Sequence, residues 1–266
     1  VGALNIVDPS VDGITSWTMP GEAYDDVEQD ETAELYEYVN SGELTQDNSV
    51  AENDVLVYQI QTTSANGALE YYDASPEADG SDDDDYSEAF ATMVTDNDPD
   101  AFDFEVDQTE DSTRANADEK IVDLDNTDTE GGLKVVPDQQ NRSVFVIMKE
   151  EDVRLARGGT GANDLEMQTG ESYIANWSIN EDTSGILDET EFVTDEASIV
   201  EKSIDFDTDA GDVIRVNAAA GQMISGSSSV APGTELNLRL RATGDNPFLE
   251  DPSAIVQPDQ IGRAHV

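Results

Sequence analysis

The residues whose spacing could do chemistry are mostly aspartates. In "DFDTDAGD", Asp205, Asp207, Asp209 and Asp212 fall within eight residues, and "DNDPD" adds Asp96, Asp98 and Asp100. Calcium takes roughly six to eight oxygen ligands, so such runs are natural candidates for it. The helix–loop–helix calcium pattern also requires a carboxylate at its twelfth position, and counting from Asp205 that position is Val216. With 61 acidic residues in the chain, aspartate clusters arise readily. The expectation is hydrated Na⁺ or K⁺ at a solvated face, with those four aspartates as weak Ca²⁺ candidates and no cofactor.

Two tripeptides fit the N-x-[ST] acceptor pattern for N-linked glycans, Asn141-Arg142-Ser143 and Asn176-Trp177-Ser178. Asn141 falls in a polar turn before a strand and is the better acceptor, whereas Asn176 falls inside a strand candidate. Covalent catalysis has little to work with. There is no Cys, and the single histidine, His265, lies in the last six residues. Ser-His-Asp, Cys-His and His-ligated zinc sites therefore cannot be assembled. Neither the G-x-S-x-G nor the P-loop pattern occurs, and "GGTGAND" (158–164) lacks dinucleotide-loop spacing and reads as a turn. A paired-carboxylate glycosidase would need two acids about 5–10 Å apart in a cleft. No Trp/Tyr-rich groove is evident, since Trp17 and Trp177 are the only tryptophans. Trp177, Tyr173 and Phe145 are expected in the core, a sugar-stacking platform being the alternative. No enzymatic activity is expected.

Charge narrows the classes further. The formal net charge is -49, and residues 1–113 hold 31 of the acids and none of the 12 bases. Phosphate contacts need clustered Lys and Arg, so nucleic acid and anionic membrane surfaces are excluded as partners. Disorder and adaptation to molar salt both fit such a charge. Hydrophobic content of 37% and distinct strand-like runs select the folded halophile. At about 1 M salt the Debye length is roughly 3 Å, and carboxylates barely repel. In dilute solution their repulsion should loosen the fold. No run of 18 apolar residues spans a bilayer. The chain opens at Val1 without a signal-like segment, which leads to the expectation of a mature or truncated start.

The elements that position these residues are mainly strands. Residues 27–40, "VEQDETAELYEYVN", put Val27, Leu35, Tyr38 and Val39 on one helical face that Ser41-Gly42 would end. "NDVLVYQIQTTS" (53–64) reads as a buried strand. Residues 73–100 read as a long acidic loop with a short helix near Tyr86–Val94. Further strand candidates are 102–107, 120–125, 133–137, 143–149, 172–179, 197–206, 213–218 and 235–243. In the last, Leu236, Leu238 and Leu240 alternate with Asn237, Arg239 and Arg241, the pattern of an antiparallel strand with one wet face. Pro232-Gly233 before it fits a type II turn. Many short strands and few helices point to a sandwich or barrel.

The stretch "AAAGQMISGSSSVAPGTELNLRLRATGDNPFL" (218–249) has ordinary charge in an otherwise acidic chain. It resembles the C-terminal signature of the haloarchaeal BGTF surface domain, found in S-layer-like and other exported proteins of extreme halophiles. Gly221, Gln222, Gly226, Ala231, Pro232, Gly233, Thr234, Glu235, Leu236, Arg239, Arg241, Gly244, Asp245, Pro247, Phe248 and Leu249 carry the match. Segments 38–70 and 135–159 are similar more loosely, to the family's helix and strand and to its middle hairpin. The resemblance implies export, a β-sandwich-like fold and a structural or adhesive role in the cell envelope, without catalytic residues.

The combined expectation is a mainly β protein, an immunoglobulin-like sandwich with a short N-terminal helix and a long acidic loop. One surface domain would cover 1–252, with its helix at about 27–40 and its β core at about 53–250. Its partners would be neighbouring surface-layer subunits or envelope components; an adhesion or polysaccharide-binding module is the alternative. Such proteins continue into a linker and an apolar anchor, so 253–260 is expected to open a linker, with the anchor beyond this fragment. "IGRAHV" (261–266) matches the translation of a common sequencing-adapter end, ATC GGA AGA GCA CAC GTC, and is expected to be foreign to the protein.

Overall fold

The computed structural model describes residues 10–29, 31–74, 86–95, 101–109, 118–157, 165–181, 187–208, 214, 223–241, 249–258 and 261–265. From the amino end, β1 (Val11–Met19) leads to α1 (Thr32–Ser41), β2 (Ser49–Ala51) and β3 (Val55–Thr62). Helices α2 (Ala65–Asp73) and α3 (Tyr86–Thr95) follow. Next come β4 (Phe102–Gln108), β5 (Lys120–Val122), α4 (Leu124–Thr129), β6 (Leu133–Asp138), β7 (Ser143–Lys149) and β8 (Leu155–Arg157). The long strands β9 (Ser172–Ile179) and β10 (Glu191–Val200) precede a set of short ones. These are β11 (Ile204–Phe206), β12 (Met223–Ser228), β13 (Glu235–Asn237), β14 (Leu240–Arg241), β15 (Leu249–Glu250), β16 (Ser253–Val256) and β17 (Ile261–His265).

A four-stranded sheet, β1-β3-β7-β6, faces a six-stranded one, β2-β10-β9-β4-β5-β8. Leu56, Tyr58, Ile60, Val144, Val146 and Met148 of the first share a core with Phe104, Val106, Tyr173, Ala175, Trp177 and Ile179 of the second. Helices α2 and α3 add Leu69, Phe90 and Met93 to it. Trp177 is fully buried and stacks on Phe90 and Phe102, with ring centroids 6.2 and 5.8 Å away. The other face of the four-stranded sheet is also covered. Val55, Val57, Val136, Phe145 and Ile147 pack against Tyr24, Val27, Leu35 and Leu44. That double burial is why β3 and β7 read as continuous apolar runs, although an antiparallel sheet with one wet face would alternate.

The six-stranded sheet does alternate. Tyr173, Ala175, Trp177 and Ile179 of β9 are buried, and the residues between them are only partly so. Strand register places Asp103, Glu105 and Asp107 of β4 opposite Ser178, Asn176 and Ile174 on the outer face, which is thus lined with carboxylates. The third sheet, β11-β12-β17-β16-β13, joins the sandwich through a small core of Ala51, Val230 and Val256, flanked by Val200 and Leu236. β14 pairs with β15.

The mainly β expectation holds. The buried residues fall into three clusters. The sheets have four and six strands, with β2 and β10 parallel, where an immunoglobulin constant domain has four and three. Helix α1 starts at Thr32, not at Val27. The carbonyls of Tyr24 and Val27 accept hydrogen bonds from Lys134 Nζ (2.7 and 2.8 Å), which fixes the preceding segment as a turn while keeping Val27 in the core. The strand expected at 120–125 stops at Val122, because the Asp123 side chain accepts from the Asn126 backbone N–H (3.1 Å) and caps α4. Residues 197–206 change sheets between β10 and β11. The 235–243 candidate is extended as far as it is described: 235–237 pair with 253–255 and 240–241 with 249–250 in one antiparallel register, which the Leu238 N–H to Pro252 O bond (2.9 Å) continues between them. Ser253–Val256, expected to open a linker, is β16, with Val256 1% exposed. Ile261–His265 pairs with β12 and β16. The 213–218 candidate lies outside the described residues apart from Ile214.

Candidate functional site

Of the weak calcium candidates, Asp205 and Asp207 lie at the exposed β11 edge, and the Ser225 hydroxyl donates to Asp207. Asp209 and Asp212, like Asp96, Asp98 and Asp100, lie outside the described residues. Among the described residues no group of three or more Asp, Glu or His is arranged to hold a metal ion, and no helix is long and apolar enough to cross a membrane.

The signature residues are structural where they are described. Gly226 faces β11, where a Cβ would lie 2.5 Å from Asp205 O, so only glycine lets the two strands approach. The Ala231–Thr234 turn is of the expected kind, with Thr234 N–H donating to Ala231 O (3.3 Å) and Gly233 at φ +93°. A Cβ on Gly233 would also meet Glu43 Cγ at 2.6 Å, so this turn is pressed against the sandwich. Arg239 and Arg241 are exposed, and Arg239 pairs with Asp251 (3.2 Å) in the open. Gly221, Gln222, Pro247 and Phe248 lie outside the described residues.

Beside that turn, Asp54 ties the third sheet to the sandwich. It is 2% exposed, and its Oδ2 accepts the Ala231 N–H at 2.7 Å. Glu150, also buried, accepts the Asn53 N–H at 2.7 Å and holds the same turn at a φ of +61°. Burial pushes the Asp54 carboxyl up to about 6, against the pull of the Ala231 N–H and Lys202 and with the help of nearby Glu150. Burial raises Glu150 as well. An open recess at this joint is lined by Glu22, Asp25, Asp54, Lys149, Glu151 and Lys202 among others, with no aromatic ring.

The few cations serve the fold. Lys120 is buried, pairs with Glu171 at 2.7 Å and donates to Glu166 O. Tyr173 donates to the same carboxylate at 2.6 Å. Lys134 binds backbone carbonyls and lies 4.6 Å above the Tyr24 ring. Lys149 pairs with Glu151 and Asp152. These ties, with Ser16 donating to Asp195 across the two sheets (2.6 Å), escaped sequence reasoning. The one available signal for Asp54 was its place directly before an apolar run.

The two sequons differ sharply. Asn141 is exposed in the β6–β7 turn, its Nδ2 donating to Asp138 (2.8 Å) and to the Tyr36 hydroxyl (2.9 Å). Asp138 is 2% exposed. Burial pushes its carboxyl up, but hydrogen bonds from Tyr36, Asn141 and Gln140 outweigh this and hold it below the usual carboxylate range. Ser143 is fully buried, and its hydroxyl has no partner among the described residues. Asn176 lies within β9, between Glu105 and Thr194, and its Oδ1 is buried. Next to Asn141 is a recess of about 250 Å³ lined by Thr32, Tyr86, Pro137, Asp138, Gln139 and Gln140. Phe145, Tyr173 and Trp177 are core residues, as expected, and present no platform.

No family model matches the chain. Over 97% of its length it is 31% and 32% identical to "Cell surface glycoprotein 2" and "Cell surface glycoprotein 1" of Haloarcula hispanica. It is 28% identical to "Cell surface glycoprotein" of Haloferax gibbonsii, again over 97% of the chain. Each alignment takes in 27% of the relative, so the chain spans about a quarter of the length of these curated proteins. Its homologues are thus haloarchaeal cell surface glycoproteins.

Proposed function

We propose that this chain is a non-catalytic structural domain, of the BGTF surface type, in an exported S-layer-associated protein of an extreme halophile. The observation that carries the reading is near full-length similarity to haloarchaeal cell surface glycoproteins. The physical design supports it. Most large apolar residues are buried, Lys120 is buried with them and Lys134 and Lys149 half-buried, while carboxylates line the outer face of the six-stranded sheet. Such a surface stays hydrated in molar salt and repels itself in dilute solution. Its partners are neighbouring surface-layer subunits or envelope components. Asn141 is its glycan acceptor, being the exposed one of the two sequons.

The test is circular dichroism during dilution from molar salt. Loss of the β signal at low salt is expected, and a native spectrum retained in dilute buffer would sink the halophile reading. Labelling of intact haloarchaeal cells with an antibody to the domain checks the location. A second reading, a polysaccharide-binding module, draws on the Tyr86 recess; saturable binding of a soluble polysaccharide to the unmodified domain would favour it.

A further inference from the structure

The recess beside Asn141 has the chemistry of a saccharide subsite. The Tyr86 and Pro137 rings offer apolar surface for the C–H face of a sugar, and Thr32, Gln139 and Gln140 offer hydroxyl and amide groups for its hydroxyls. Its volume of about 250 Å³ lies just below the roughly 300–1,000 Å³ of pockets that take drug-sized ligands, a size for one sugar ring. Charge favours a neutral occupant, because Glu70 lies close by, accepting from Tyr86 (3.2 Å) and Gln139 (2.9 Å). The turn itself is held rigidly: the Asp138 carboxylate takes the backbone N–H groups of Gln140 and Asn141 and the Tyr36 hydroxyl.

We infer that the first sugar of a glycan on Asn141 folds back into this recess and packs on Tyr86. The inference rests on the reading that Asn141 is modified. In that modification the Nδ2–C1 bond forms as the bond from C1 to the phosphate oxygen of an activated, lipid-linked sugar donor breaks, and the amide gives up one proton. The secondary amide keeps one N–H. That hydrogen stays on Asp138, whose lost alternative would be a charged acceptor, and the contact to Tyr36 is released. The Tyr36 hydroxyl keeps its own bond to Asp138 (2.5 Å). The recess is lined by Asp138, Gln139 and Gln140, the residues just before Asn141, so a sugar on this amide starts beside it.

Ser143→Ala gives a clean control, because the buried hydroxyl it removes has no partner among the described residues. Protein made in a haloarchaeal host is analysed by glycopeptide mass spectrometry and by hydrogen exchange in molar salt. The expected result is an occupied Asn141 in the wild type and an unmodified one in Ser143→Ala. Exchange across 86–95 and 138–141 should be slower by about threefold or more in the glycosylated form. Tyr86→Ala, and separately the surface change Gln140→Ala, should abolish that protection with Asn141 still occupied. An unmodified Asn141 in native protein overturns the modification reading and the inference with it. An occupied Asn141 with unchanged exchange overturns the seat alone. Protection appearing in Ser143→Ala on addition of free disaccharide assigns the recess to a sugar from outside the chain, which also overturns it.

Discussion

The sandwich and the C-terminal sheet face the same difficulty, a sheet surface that must be hidden from water, and meet it differently. In the sandwich, the four-stranded sheet is buried on both faces, and Lys120, Lys134 and Lys149 are held among carbonyls and carboxylates. The C-terminal sheet has only a small core around Val230 and Val256. Four of the seven exposed large hydrophobic residues among the described ones belong to it, Ile204, Phe206, Met223 and Ile255, and a fifth, Leu249, lies in the adjoining β14-β15 pair. Its ion pair, Arg239 with Asp251, stands in solvent. Stability is therefore concentrated in the sandwich, and the C-terminal sheet depends on its joint at Asp54, Ala231 and Gly233.

The largest effect should come from the sandwich. Lys120→Ala leaves Glu171 without its cation in a nearly dry site, a change that costs about 3–5 kcal/mol in comparable buried pairs. Denaturant unfolding in molar salt measures it, and an unchanged midpoint would break the contrast at its stronger end. The joint should give an intermediate effect with an unusual pH dependence. The Asp54 carboxyl is raised from 3.8 to about 6 in the folded state. Its contribution is thus fully present below about pH 4 and lost as pH rises through 6. The protein should gain stability on acidification from pH 7.5 to 5, the reverse of ordinary acid denaturation. Asp54→Asn keeps an acceptor for the Ala231 N–H without the charge. It should raise stability at pH 7.5 by about 1–3 kcal/mol and flatten this dependence, measured by thermal melts across pH. A variant that melts in parallel with the wild type at every pH would remove Asp54 from the joint's energetics. The smallest effect belongs to Arg239→Ala, less than about 0.5 kcal/mol, because both partners of its ion pair are exposed. A larger loss would show the C-terminal sheet to be better supported than its small core suggests.

Much of the fold was legible along the chain. β3, β4, β6, β7 and β9 were expected within a residue or two, because long apolar or alternating runs carry their own periodicity. α3 was legible as well, and so was the Pro232-Gly233 turn, whose geometry is set by two residues. Other elements escaped for physical reasons. α2 begins in "ANGALE", where Asn66 and Gly67 are weak helix formers, and its helicity comes from packing Leu69 into the shared core. By contrast, the alternation of Leu236, Leu238 and Leu240 matches the exposure and the register observed through Arg241. At the candidate sites, the preference for Asn141 over Asn176 followed from turn against strand. The recess beside it did not, since Thr32, Tyr86 and Gln140 are brought together from three distant segments.

Composition alone determined that this chain carries 61 acids against 12 bases, one histidine and no cysteine, so that most of its surface must be carboxylate. Those are sums over residue types, and they hold for any fold the chain adopts. Only the tertiary structure decided which of the 61 acids leave water. Asp54, Asp138 and Glu150 are buried because Ala231, Tyr36 and Asn53 supply the donors that make burial tolerable. Contacts such as that of Asp54 with Ala231, 177 residues apart, follow from the packing of whole sheets. No local pattern around either residue specifies them.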